Sequence, residues 1–461
     1  MIPSGLELID GYRRRELSPV EVTRAVLAHI ERWEPHLRAT WAQDSEATLD
    51  MARASERRWA AGEAGALDGV PVTLKDNIAT RGVAMPLGTA ASELVPMADD
   101  APPAARLREA GAVFVAKTTM PDYGMLSSGL SSFHALARNP WNLARNPGGS
   151  SAGAGAAAAA GYGPLHVGTD IGGSLRLPAG WCGIFTLKPS LGRIPIKPPY
   201  AGRVAGPMTR TVHDSARMMA VLSQPDWRDT MSLPYQAIDW MALEGRPRKG
   251  MRLGLLLDAG WGLPVDPQIA AAVTEAARLF EREGAIVEVM PAFGKREHLD
   301  GMDRFWRFRS WLDISALPVE RRERVLPYIR AWAEGGAGAS ATELFQGYNQ
   351  MAAMREAAVA ACRPYDFVLT PTSPVGPYAA EWASPTNDPA RPLEHIGFTL
   401  PYNMSEQPAA SINCGFDREG LPIGLQIVGQ RHDDLGVLQL SAAYERLRGP
   451  LRPWPEPPAA S

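Results

Sequence analysis

Residues 146–178, NPGGSSAGAGAAAAAGYGPLHVGTDIGGSLRLP, constrain this chain more than any other stretch. Two glycine–serine turns, Gly148-Gly149-Ser150-Ser151 and Gly172-Gly173-Ser174, bracket a run of small residues and a short apolar segment. The run 152–160 is almost pure helix former, and its small side chains allow close packing against a neighbour. Gly161 supplies a helix stop, and 164–168 reads as a strand. About ten helical residues advance roughly 15 Å, and about five strand residues return roughly 16 Å. A helix followed by a returning strand can therefore bring Ser174 back beside Ser150.

The remaining chain alternates helix and strand patterns around this stretch. Ser18-Pro19-Val20-Glu21 reads as a capping box with proline at N1. The helix it opens carries Val22, Val26, Ile30 and Trp33 on one face, and a second helix is expected over 46–61. Residues 69–74 form an apolar, β-branched run that reads as a buried strand. Lys75-Asp76-Asn77 follows at its carboxyl end, where active groups of α/β sheets collect. A helix over 101–110, with Asp99-Asp100 as its N-terminal cap, leads to a strand over 112–116 that ends at Lys117-Thr118-Thr119. Little periodicity is visible over 121–147. Further on, helices are expected over 213–223, 267–283, most of 303–361, and 435–446. Strands are expected over 252–257, 285–290, 366–369, 409–413 and 422–428. No repeat or clear linker interrupts the pattern, so the expected fold class is α/β around one sheet.

The chain has 461 residues, enough for a large core, with 45% hydrophobic and 21% charged residues. A net charge of −3 suggests neither a nucleic-acid partner nor a membrane-surface one. The first 17 residues lack the apolar segment of a signal peptide, and no apolar run reaches membrane-spanning length. Cys182, Cys362 and Cys414 are far apart and form no CxxC, which fits a reducing cytoplasm. Only six of the 47 basic residues are lysine: Lys75, Lys117, Lys188, Lys197, Lys249 and Lys295. Arginine holds its proton in proteins, whereas a desolvated lysine can lose it, so a lysine required as a base would survive a drift towards arginine.

Several chemistries compete for the two turns. Gly149-Ser150-Ser151-Ala152-Gly153 matches G-x-S-x-G, but a nucleophile elbow needs a strand before the turn, and Arg138-Asn139-Pro140-Trp141-Asn142 reads as a loop. A phosphate-binding loop needs a lysine after its glycines, and none follows here. Plain tight turns explain one such loop better than two bracketing a helix and strand. The eight histidines include no His-x-x-His or His-x-x-x-His pair, and His166 reads as a core histidine, so no metal is expected. No paired-carboxylate site is evident. A serine nucleophile with a neutral lysine base is left. No lysine has a serine three residues before it, which excludes the Ser-x-x-Lys arrangement, so the base must come from elsewhere in the chain.

These features resemble the amidase signature hydrolases. Residues 148–178 look like their serine- and glycine-rich signature, and 70–77 like their catalytic-lysine segment. The likeness continues through 117–119, 138–142, 182–183, 187–190, 206–208, 370–372 and 415–429. It covers most of 15–445. The resemblance implies a single large α/β domain over 1–449, with a mixed, mostly parallel sheet flanked by helices on both faces. It implies a signature core over about 69–215, a variable helical substrate region over about 300–362, and a proline-rich tail over 450–461.

The resemblance also implies a Ser–Ser–Lys triad. Ser174 would be the nucleophile, Ser150 the bridging serine on a cis peptide, and Lys75 the base. Backbone N–H groups of Ile171, Gly172, Gly173 and Ser174 would hold the oxyanion. Ser151 would support the turn, with Asp170 and Arg176 organising the nucleophile. Pocket walls are expected from the loop 125–132, with Met125, Leu126, Ser127 and Ser128 as substrate contacts, and from the aromatic-rich 305–332. No cofactor is implied. The expected partner is a small amide substrate, with a homodimer among the possible assemblies. Ala152 stands where many relatives have glycine. Leu177 stands where the A subunits of tRNA amidotransferases typically have glutamine, and Met404-Ser405-Glu406-Gln407-Pro408 also departs from their pattern. The expected activity is therefore that of a stand-alone serine amidase. The alternatives are the A subunit of a glutamine-dependent tRNA amidotransferase and a catalytically silent binding protein on the same fold.

Overall fold

The structure, a computed structural model, describes residues 3–245 and 247–458. The expected domain start at residues 1 and 2 and the last three residues of the proline-rich tail lie outside the described residues. The strands in chain order are β1 (Thr40–Trp41), β2 (Pro71–Lys75), β3 (Val113–Thr118), β4 (Leu165–Asp170), β5 (Phe185–Lys188) and β6 (Val204–Thr209). They continue with β7 (Arg252–Leu255), β8 (Ile286–Val289), β9 (Phe367–Pro371), β10 (Ala409–Phe416) and β11 (Pro422–Val428). All join one sheet in the order β1-β3-β2-β4-β6-β5-β10-β11-β9-β7-β8, so the chain forms a single large α/β domain. The sheet is mixed, but parallel pairing is not the majority. Two blocks, β3-β2-β4 and β9-β7-β8, are parallel, and the joins between and beyond them are antiparallel.

The antiparallel centre comes from elements the sequence does not advertise. β6 carries Gly206-Pro207 in its middle, and a proline normally argues against a central strand because it cannot donate to the ladder. Here Pro207 sits opposite Val167 of β4, and its carbonyl accepts from Thr186 Oγ1 at 2.6 Å. The short β5 and the helix Arg176–Cys182 were likewise not expected. At the helix 102–109, Asp100 is not the cap. The cap position is Ala101, whose methyl side chain has no acceptor to offer. Asp100 instead pairs with Arg108 at 2.7 Å. Ser18 does cap its helix, accepting from Val20 and Glu21 N–H, but the return bond that would complete a capping box is absent from that cap.

The helix Ala152–Ala160 runs through the interior, with every residue buried. Small side chains make this possible. A Cβ on Gly153 would fall 2.1 Å from the Ala39 carbonyl oxygen, and one on Gly155 would fall 2.8 Å from Pro178 Cβ. The helix starts at the first serine turn and the strand β4 leads to the second. The two turns meet where Ser151 N–H donates to the Ser174 carbonyl at 3.3 Å. Helices Arg296–Ser315, Pro327–Glu334 and Ala341–Cys362 contribute to a separate aromatic-rich core with Trp181, Trp306 and Trp332. Their inner face borders the region above Ser174.

Candidate active site

Three adjacent structural facts build the site. β2 and β4 are parallel neighbours with Leu74 opposite Val167, so Lys75 and Thr169-Asp170 emerge side by side at the carboxyl ends. The buried helix 152–160 holds Ser150 and Ser151 at its N-terminal entry. The helix 176–182 begins just after Ser174. The Gly149–Ser150 peptide is cis.

Lys75 is completely buried. Its Nζ lies 2.7 Å from Ser150 Oγ, 3.1 Å from Ser151 Oγ and 3.1 Å from Thr169 Oγ1. Among the described residues no carboxylate forms an ion pair with it. Burial first, and then the nearby Arg203 charge, push its pKa well below the ordinary lysine value, with Asp170 and Asp76 opposing. A neutral amine has two N–H bonds and one lone pair, so three hydroxyl neighbours satisfy it fully. Thr169 Oγ1 is itself held by Asn77 Nδ2 at 3.1 Å. Ser151 Oγ accepts from Thr169 N–H at 3.3 Å and bonds the Thr169 carbonyl at 3.1 Å. Ser151 thus ties the first turn to β4.

Asp170 and Arg176 are both fully buried and paired at 3.0 Å. Burial alone would raise the Asp170 carboxyl, but the Arg176 charge and its hydrogen bonds outweigh it and hold the group well below the usual carboxylate range. Arg176 also donates to the Thr399 carbonyl, Gln426 Oε1 and Asn403 Oδ1. Every arm of the guanidinium is taken by protein, so Arg176 organises the turn and does not face the cavity. Asp170 Oδ1 accepts from Gly173 N–H at 2.7 Å, and Oδ2 accepts from Leu175 N–H at 3.1 Å. The Gly173 amide is therefore committed to Asp170, which corrects its expected place among the oxyanion donors. The amides of Ile171, Gly172 and Ser174 donate to no group among the described residues.

A cavity of about 410 Å³ opens over Ser150 and Ser174. Met125, Leu126 and Ser127 line it. Ser128 does not. It is fully buried, donates to the Trp382 carbonyl at 2.9 Å and accepts from Asn146 Nδ2 at 3.0 Å. Its hydroxyl braces the loop before the first serine turn. Tyr123 and Ile396 on the apolar walls and Tyr200 and Arg203 on the polar side lie outside the expected wall segments, whereas Arg309 and Asp313 fall within the expected 305–332. Trp306 and Trp332, from the aromatic-rich region, do reach the cavity. Their helical spacing alone could not separate cavity wall from ordinary packing. His166 is a core histidine, bonded to Thr73 Oγ1 and the Gly163 carbonyl, and burial pushes its pKa down to about 3. No cluster of three potential metal ligands occurs among the described residues.

A strand-end site beneath an open cavity on a mixed α/β sheet is the arrangement of an enzyme. Residues 21–438 match the amidase family. The glutamyl-tRNA(Gln) amidotransferase A subunit of Myxococcus xanthus is 34% identical, with 96% of each chain covered. A bacterial aryl acylamidase of the amidase signature family superposes with a TM-score of 0.89 at 30% identity, covering 97% of this chain and 96% of that one. The peptide amidase of Stenotrophomonas maltophilia superposes with a TM-score of 0.84 at 25% identity, covering 99% of each chain. The chain belongs to the amidase family, and the enzyme is an amidohydrolase.

Proposed function

We propose that the enzyme hydrolyses a carboxylic amide to acid and amine through an acyl-enzyme on Ser174. The observation that carries this reading is the fully buried Lys75 amine, 2.7 Å from Ser150 Oγ, with Ser150 and Ser174 lining one cavity. Neutral Lys75 takes the Ser150 proton while Ser150 takes the Ser174 proton, and Ser174 Oγ attacks the carbonyl carbon. The developing oxyanion accepts from the amides of Ile171, Gly172 and Ser174, which have no competing acceptor among the described residues. The proton returns through Ser150 to the leaving nitrogen, and the C–N bond breaks. Water, deprotonated along the same path, then releases the acid and restores Ser174.

The cavity favours a stand-alone amidase acting on an apolar or aryl amide. Its walls include Trp306, Trp332, Ile314 and Ile396, and its volume of about 410 Å³ exceeds what one glutamine side chain would fill. A second reading is supported by the curated relatives, which carry the name of an amidotransferase component. On that reading the same chemistry releases ammonia from glutamine for partner subunits. The free thiols Cys182, Cys362 and Cys414 are compatible with a cytoplasmic setting for either. A panel of aryl amides, alkyl amides and glutamine, assayed on the purified chain, separates them. Hydrolysis of anilides by the chain alone supports the amidase. Glutamine hydrolysis that appears only with partner subunits supports the second reading. Hydrolysis of nothing, with or without partners, leaves a silent binding protein.

A further inference from the structure

Three cations line the polar side of the cavity: Arg203, Arg309 and, exposed at its edge, Lys197. Arg203 and Arg309 both line it, and neither has a carboxylate within ion-pair distance among the described residues. Arg203 has one protein partner, the Pro198 carbonyl at 3.1 Å. Arg309 lies over the Tyr200 ring at 4.4 Å, which orients its plane while leaving its donors free. The two guanidinium groups act on each other. Burial and the Arg309 charge together push Arg203 down to about 10. Asp313, one helical turn beyond Arg309, lines the same cavity but pairs with neither.

Among the described residues the fully buried arginines are each paired with a carboxylate, whereas Arg203 and Arg309 are half-buried and unpaired. Arg176 meets Asp170 and Arg193 meets Asp434. Two like charges facing one cavity, each with free donors, are a poor arrangement for folding and a good one for an anion. A planar guanidinium matches a carboxylate in a two-point fork. We propose that the cavity takes amides that carry a carboxylate, held between Arg203 and Arg309 while the scissile carbonyl lies over Ser174. This rests on the reading of the enzyme as an amidase, and it adds an anionic end to the aryl or apolar body that the walls accept.

Two matched probe pairs test it. Glutaric acid monoanilide against its methyl ester places the charge on the acyl side. 4-Acetamidobenzoate against its methyl ester places it on the amine side. Binding is read by calorimetry on Ser174→Ala, and kcat/KM on the wild type. The acid of at least one pair should bind about tenfold to a hundredfold more tightly than its ester. That ratio should collapse in Arg203→Gln and in Arg309→Gln, each checked for folding by circular dichroism, and should be partly kept in Arg203→Lys. Equal affinity within both pairs, or a ratio unchanged in both glutamine variants, overturns the proposal. Preferential acid binding with no hydrolysis of any probe by the wild type leaves the carboxylate site standing and overturns the amidase reading instead.

Discussion

Lys75 Nζ stands 2.7 Å from Ser150 Oγ inside a fully buried pocket, with hydroxyl groups and no carboxylate as its direct partners. An amine in that position holds its lone pair against a serine. Lys75→Met should therefore lower kcat by at least about a thousandfold, as Ser174→Ala should, while far-ultraviolet circular dichroism stays that of the wild type. Steady-state kinetics on any hydrolysed anilide checks this.

The same amine gives a pH dependence with a definite sign. Its folded pKa is depressed well below 10.5, so the folded chain binds fewer protons than the unfolded one between the two values. Stability then rises with pH across that window. Lys117 and Lys188, both pushed down to about 7 mainly by burial, add to the slope above pH 7. Denaturant midpoints from pH 7 to pH 9.5 should increase. In Lys75→Met the slope should shrink by about 1 kcal/mol per pH unit. Activity should also be lost as pH falls through the depressed Lys75 value, not near 10.5.

The Asp170–Arg176 pair shapes the second turn through the Gly173 and Leu175 amides. Removing one partner leaves the other charged and buried. Arg176→Met should destabilise by about 3–5 kcal/mol, measured by urea unfolding. Asp170→Asn should also depress kcat, because the Gly173 amide loses its charged acceptor and the turn loses its geometry.

Two glycines at the site differ in what they can accept. A Cβ on Gly149 would lie 2.3 Å from the Ser128 amide nitrogen and 2.7 Å from the Ser127 carbonyl carbon. Gly149→Ala should fail to fold or lose several degrees in Tm. A Cβ on Gly172 would meet Trp306 Cη2 at 3.5 Å and Ile396 Cδ1 at 3.6 Å, which is ordinary contact. Gly172→Ala should fold, and should raise KM for bulky anilides more than for small amides. Thermal melts and a substrate-size series check the pair.

The residues brought together at the site were legible where local signals coincide. Lys75 ends an apolar run, so its place at a strand terminus could be read directly. Ser150 and Ser174 flank a helix and strand of matching length, so the opening of both turns onto one cavity follows from geometry. The Gly173 amide was misread because the Asp170 rotamer decides which turn N–H it takes, and spacing carries no rotamer information. Ser128 was misread for a similar reason: its hydroxyl turns to Asn146 and Trp382, remote in sequence. β6 was missed because Pro207 breaks the strand pattern while the flanking strands hold it in place. Arg203 was missed because it looks like an ordinary surface arginine until the fold sets it on the cavity, and the expected wall segment 305–332 was read for its aromatics and not for Arg309.

The most direct test is intact-protein and peptide mass spectrometry of the enzyme trapped with a slowly deacylating ester or a fluorophosphonate. A single adduct on the peptide containing Ser174, absent in Ser174→Ala and strongly slowed in Lys75→Met, is the predicted result. An adduct on another residue, or full labelling and hydrolysis without Lys75, would contradict the account.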